Sequence, residues 1–87
     1  MLITLQISEE AKISYLNLLD WYAEIDIKLS IKFADEYLAT LKKIKQNPTH
    51  YSFINNKFRR YLFSKLHCMI IYKFEKNIVS IIRHYIT

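Results

Sequence analysis

Residues 58–85 read FRRYLFSKLHCMIIYKFEKNIVSIIRHY, and the alternation inside this stretch decides the fold. Three runs, Phe58 to Ser64, His67 to Phe74 and Ile78 to Tyr85, repeat β-branched and aromatic residues at period two, the pattern of half-buried strands. Short polar turns at Lys65-Leu66 and Glu75-Lys76-Asn77 join them, which predicts two adjoining hairpins. With two-residue loops, side-chain parity sorts the strands into two faces. One carries Arg59, Tyr61, Phe63, Cys68, Ile70, Tyr72, Val79, Ile81 and Arg83, apolar in its middle and suited to lie under helices. The other carries Arg60, Leu62, Ser64, His67, Met69, Ile71, Lys73, Ile78, Ser80, Ile82 and His84, and its mixture of basic and apolar groups makes it the expected working surface. A three-residue loop at 75–77 would reverse the parity of the last strand.

Upstream the period changes. Leu2 to Ile7 alternates as a short strand, with Ile3, Leu5 and Ile7 on one face, and Ser8 followed by Glu9 and Glu10 reads as a helix N-cap with acids in the first turn. Ala11, Tyr15, Leu18, Leu19 and Tyr22 then recur at helical spacing, predicting a helix over about 9–24. A second helix is predicted from near Asp26 to about Gln46, its apolar stripe built on Ile27, Ile31, Ala34, Leu38 and Leu41 and widened by Phe33, Tyr37 and Ile44. If that stripe covers the sheet, Leu38→Ala is expected to cost roughly 2 to 5 kcal/mol. Lys42, Lys43 and Lys45 suit its C-terminal turns, and Asn47-Pro48 closes it. Thr49 to Lys57, with Tyr51 and Phe53, reads as an ordered loop. The expected architecture is α+β, in the order β-α-α-β-β-β, with a helical hairpin packed on an antiparallel sheet.

At 87 residues the chain has room for one domain, 1–87, with one modest core. Its charge is uneven: residues 1–47 hold six Lys against seven acids, a net of −1, whereas residues 48–87 hold seven Lys plus Arg against one Glu, a net of +6. A basic second half points to an anionic partner, either nucleic acid, an acidic protein, or both. With no glycine anywhere, the chain lacks the residue that phosphate-wrapping loops need, which excludes P-loops and dinucleotide folds. One Cys and three scattered His give no zinc spacing, so neither metal nor cofactor is expected. No apolar run approaches a membrane span of about 20 residues, and Met1-Leu2-Ile3-Thr4 has no leader pattern. A lone Cys68 fits a reducing, cytoplasmic setting.

Phe58-Arg59-Arg60-Tyr61-Leu62-Phe63, Met69-Ile70-Ile71-Tyr72 and Ile78-Val79-Ser80-Ile81-Ile82-Arg83-His84 together resemble the C-terminal sheet of the RelE/ParE-superfamily toxins. Ala11 opening the first helix, Trp21 and Tyr22 near its end, Phe33 in the second and the Asn47-Pro48 close fit the same family, in the same order over nearly the whole chain. The resemblance implies the toxin of a type II toxin-antitoxin, plasmid stabilisation-type module, inhibiting growth and neutralised by a cognate antitoxin; the alternatives are a ribosome-dependent endoribonuclease and a non-toxic module that binds an antitoxin. ParE-like members are described as poisoning DNA gyrase, whereas RelE-like members cleave messenger RNA on the ribosome. The resemblance is closer to the ParE-like branch. Where the ribonuclease branch places two lysines stand Arg60 and Leu62, where it places arginines stand Met69 and Ile86, and Thr87 precedes the helix that would carry its tyrosine, for which Tyr85 is the one substitute.

The candidate target-binding residues are Arg59, Arg60, Lys65, His67, Lys73, Arg83 and His84. Should the chain be a ribonuclease, Arg60, His67 and His84 are the candidates for acid-base work, the two histidines meeting across a hairpin. The plainer alternative is a solubilising face, with Arg59 and Arg83 paired to acids such as Glu24 or Asp35. His67 and Cys68 are neighbours in a strand, point to opposite faces and form no dyad, which leaves Cys68 to the core.

Overall fold

A computed structural model describes residues 2–87, so Met1 of the leader expectation lies outside the described residues. The elements are β1 (Thr4–Ile7), α1 (Glu9–Ile25), α2 (Ile27–Gln46), β2 (Arg59–Leu62), β3 (Cys68–Glu75) and β4 (Ile78–Ile86). The sheet runs β1-β4-β3-β2: β2, β3 and β4 are antiparallel as expected, and β1 adds in parallel along β4, from Thr4 opposite Ile78 to Ile7 opposite Ile81. That parallel edge makes the sheet mixed.

Capping residues do the joining. Ser8 Oγ accepts the Ala11 N–H at 3.0 Å, as an N-cap does. Asp26 serves both helices: its N–H closes α1 on the Tyr22 carbonyl, and its carboxylate caps α2 by accepting the Lys28 N–H at 3.0 Å. Ser30 Oγ–H donates to the Leu19 carbonyl at 3.0 Å and ties the hairpin across. The residue 49–57 loop is ordered by hydrogen bonds from Ile54 N–H to the Phe58 carbonyl and from Arg60 N–H to the Ser52 carbonyl.

The first sheet hairpin has the predicted register, Arg59 opposite Tyr72 and Leu62 opposite Met69. The second turns on Lys76 and Asn77 alone, both at positive φ (53° and 63°), so the two-residue loop forms without glycine. Parity then holds only as far as Tyr72 opposite Ile81. A β-bulge at Ile82 shifts the pairing, so that Ile71 faces Arg83 and Ile70 faces His84. Ser8 stabilises the bulge by taking two successive carbonyls, Ile81 through its N–H at 3.0 Å and Ile82 through its Oγ–H at 2.9 Å. Beyond it the faces exchange. Arg83, expected under the helices, is exposed, and His84, expected outside, is buried.

The core lies between helices and sheet: Ala11, Leu18 and Tyr22 of α1, Phe33, Tyr37 and Ile44 of α2, and Ile70, Tyr72, Val79 and Ile81 below. α2 is rotated relative to the stripe expected from its sequence. Phe33, Tyr37, Leu41 and Ile44 are buried, but Ile27, Ile31 and Leu38 face outward, Leu38 with 61% of its surface exposed. The large loss expected for Leu38→Ala is therefore replaced by a change below about 0.5 kcal/mol. Thermal melting of the variant checks this, and a drop of many degrees would show Leu38 to be covered in solution.

Candidate functional site

Across the outer face of the sheet, strand pairing sets residues in rows. Arg60 of β2, Ile71 of β3 and Arg83 of β4 share one row, and Leu62, Met69 and Tyr85 share the next. Neighbouring strands lie about 4.8 Å apart, so the two arginines flank Ile71 at roughly 10 Å from each other. Ile71 is nevertheless buried, while Arg60, Leu62, Arg83 and Tyr85 are exposed. The Arg83 guanidinium lies 5.4 Å from the centre of the Tyr85 ring. The result is a patch of two cations and an aromatic around an apolar centre, suited to an anionic macromolecule. Tyr85 reaches this face only because of the bulge, which the strand parity did not predict.

The other candidate residues fall elsewhere. Arg59 is engaged within the chain: its guanidinium donates to the Thr49 and Tyr51 carbonyls at 3.0 and 2.7 Å and stacks 3.8 Å over Phe53, pinning the 49–53 loop instead of pairing with an acid. Lys65 sits in the β2–β3 loop and lines a small cavity with Glu36, Thr40 and Lys43, on the α2 side. His67 is exposed in that loop and its carbonyl accepts the Thr87 N–H. Lys73 is on the outer face, 3.9 Å from Glu75. Neither Arg59 nor Arg83 pairs with Glu24 or Asp35; among the described residues the ion pairs are Lys73–Glu75 and Lys12–Glu9.

His84 is 5% exposed and sits between the layers. Its Nδ1 lies 2.8 Å from Ser14 Oγ and its Nε2 2.9 Å from the Tyr37 hydroxyl. Ser14 Oγ also accepts the His84 main-chain N–H at 3.1 Å and donates to the Ala11 carbonyl at 3.1 Å. A neutral ring with the proton on Nδ1 satisfies every donor, since Ser14 then spends its own proton on Ala11 and Tyr37 donates to Nε2. Burial lowers the imidazole pKa to about 4 and pushes the Tyr37 hydroxyl well up. His84 is a structural bridge from α1 to α2, and the proposed meeting of His67 and His84 does not occur. Arg60, His67 and His84 are not gathered on one face. Cys68 is buried, as expected, and burial raises its thiol to about 11.

The helical layer presents a second surface. Lys12, Tyr15 and Leu16 of α1 and Tyr37, Leu38 and Leu41 of α2, with Ile7 at one end, line an open groove of about 380 Å³ that is largely apolar. Leu16 and Leu38 form its exposed rims, and Ile31 and Ile27 continue the apolar seam along α2, seven and eleven residues before Leu38. The sequence pattern found this seam but assigned it to the interior.

The architecture is a ParE-like α+β fold, a helical hairpin packed on a mixed four-stranded sheet with elements in the order β-α-α-β-β-β. A chain of a solved structure described as a chromosomal ParDE TA system from P. aeruginosa superposes with a TM-score of 0.85, covering 99% of this chain and 97% of its own, at 11% identity. No protein-family model matches the sequence, and no curated protein matches it. No helix of the described residues is long and apolar enough to cross a membrane.

Proposed function

We propose that this protein is the toxin of a toxin-antitoxin module, arresting growth by binding an essential macromolecule, with DNA gyrase as the target put forward, and held inactive by a cognate antitoxin. The observation that carries the reading is the outward apolar groove on a ParE-like fold, with Leu16, Ile27, Ile31 and Leu38 all exposed on the helical layer, a surface separate from the basic outer sheet face. A seam of large aliphatic side chains left in water favours a covering partner, and an antitoxin segment with an apolar face answers that need. Lys12 in the groove wall favours acidic residues on that segment. The row of Arg60, Ile71 and Arg83 supplies the target face.

Induced expression of the chain alone is expected to stop bacterial growth, and co-expression of the neighbouring gene to restore it. Arg60→Ala combined with Arg83→Ala is expected to weaken the arrest by at least about tenfold in inducer needed, at equal protein abundance, since both side chains are exposed and leave the core intact. Leu38→Asp is expected to leave arrest intact and abolish rescue. DNA breaks with trapped gyrase would support the named target, whereas discrete new message ends would move it to the ribosome. Normal growth with soluble, folded protein defeats the proposal.

A further inference from the structure

β4 has two neighbours along its first half and one along its second. β1 pairs with it only as far as Ile7 opposite Ile81, because Ser8 turns the chain into α1. Past that point side chains cap the flank, Ser8 Oγ on the Ile82 carbonyl and Ser14 Oγ on the His84 N–H. The caps stop there. Since the Thr87 N–H reaches the His67 carbonyl, Thr87 and Tyr85 turn their main-chain groups toward β3. The His84 carbonyl and both main-chain groups of Ile86 consequently turn the opposite way. Cys68, opposite Ile86, agrees: its N–H and carbonyl go to Leu66 and Phe63, away from β4. No strand of the described residues lies along the Ile86 edge.

A groove of about 400 Å³ follows this open edge. Asn17 and Trp21 of α1 form one wall, Tyr85 and Ile86 the other, and the buried Leu18 and His84 its base. Arg83 stands at the lip, exposed and without an ion-pair partner among the described residues. We infer that this groove receives an extended segment of a partner polypeptide as an added strand beside residues 84–86, in line with β1, with an apolar side chain against Trp21 and a carboxylate on Arg83. The unspent main-chain donor and acceptors call for an extended chain, because a helix has already used its own. Charge selects its source: two copies of this +5 chain joined edge to edge would bring their Arg83 side chains together, whereas an acidic foreign segment meets them favourably. The inference needs only the fold and does not depend on growth arrest.

The test selects a displayed library of random short peptides against the full chain and follows main-chain amide exchange by NMR. Recovered peptides are expected to alternate apolar residues and to carry Asp or Glu. The tightest is expected to slow exchange of the Ile86 amide by about tenfold or more while leaving Ile70, inside the sheet, unchanged. Arg83→Glu and the groove-narrowing Asn17→Arg, both at exposed positions, are each expected to weaken binding by about tenfold with melting unaltered. Peptides that bind both variants equally, an Ile86 amide indifferent to peptide, or a library yielding no binder would overturn the inference. Protection of Ile86 that grows with the protein's own concentration would give the edge to a second copy, and overturn it too.

Discussion

Phe33→Ala is expected to remove about 3 to 5 kcal/mol of stability, the range for deleting a fully buried aromatic ring. Phe33 has no exposed surface, and its ring stands 5.2 to 6.0 Å from those of Tyr15, Tyr22, Tyr37 and Phe63, so it joins both helices to the segment after β2. No neighbouring side chain collapses into such a space without losing its own contacts. A domain of this length has roughly 4 to 13 kcal/mol in all, so the loss is a large share of the whole. Urea unfolding measures it, with Ile31→Ala as the comparison. Ile31 lies on the same helix but faces outward, and its change is expected below about 0.5 kcal/mol. Similar losses for the two variants would mean that α2 packs through its other side.

Acid is expected to destabilise the fold through His84. The folded-state pKa of about 4 lies below the ordinary value of 6.5 because burial disfavours the imidazolium. Above pH 6.5 the ring is neutral in both states and contributes no slope. Between 6.5 and about 4 only the unfolded chain takes up the proton, so stability falls by up to about 1.4 kcal/mol per unit as pH drops, roughly 3 kcal/mol in all. Below about 4 this group adds no further loss. The groups facing the ring are Ser14, Tyr15 and Tyr37, with no carboxylate among them to hold a charge. Melting followed from pH 7.5 to 4 should show the decline, and His84→Gln, though less stable at neutral pH, should show a shallower one. An unchanged slope in the variant would assign the acid sensitivity elsewhere.

Much of the sheet was legible because its residues leave one choice. Tyr61 stands between Arg60 and Leu62, and Tyr72 between Ile71 and Lys73, so each aromatic has smaller or charged neighbours, and a two-residue turn then fixes the register of both hairpins up to Ile81. The bulge was not legible, since Ile81 and Ile82 are the same residue twice and either fits the interior. What decides between them is Ser8, more than seventy residues earlier, offering two donors to two carbonyls. The helix boundaries followed from Ser8, Asp26 and Asn47, whereas the buried side of α2 did not. That helix carries two apolar stripes, and periodicity gives their spacing without saying which one the chain's own sheet covers. Of the candidate residues, Arg60 lies on the outer face that parity gives it, Arg83 and His84 were exchanged by the bulge, and Arg59, on the inner face by parity, is held by carbonyls of a loop whose path no local pattern predicts.

The parallel pairing of β1 with β4 bears on biosynthesis. The first strand to leave the ribosome has no hydrogen-bonded neighbour until the fourth has been made, and α1 and α2 have no complete sheet to rest on before then. A nascent chain halted before Ile78 thus lacks a central strand, exposes both helical stripes and has no row of arginines to present. The four-stranded sheet can therefore close only when translation has passed through β4.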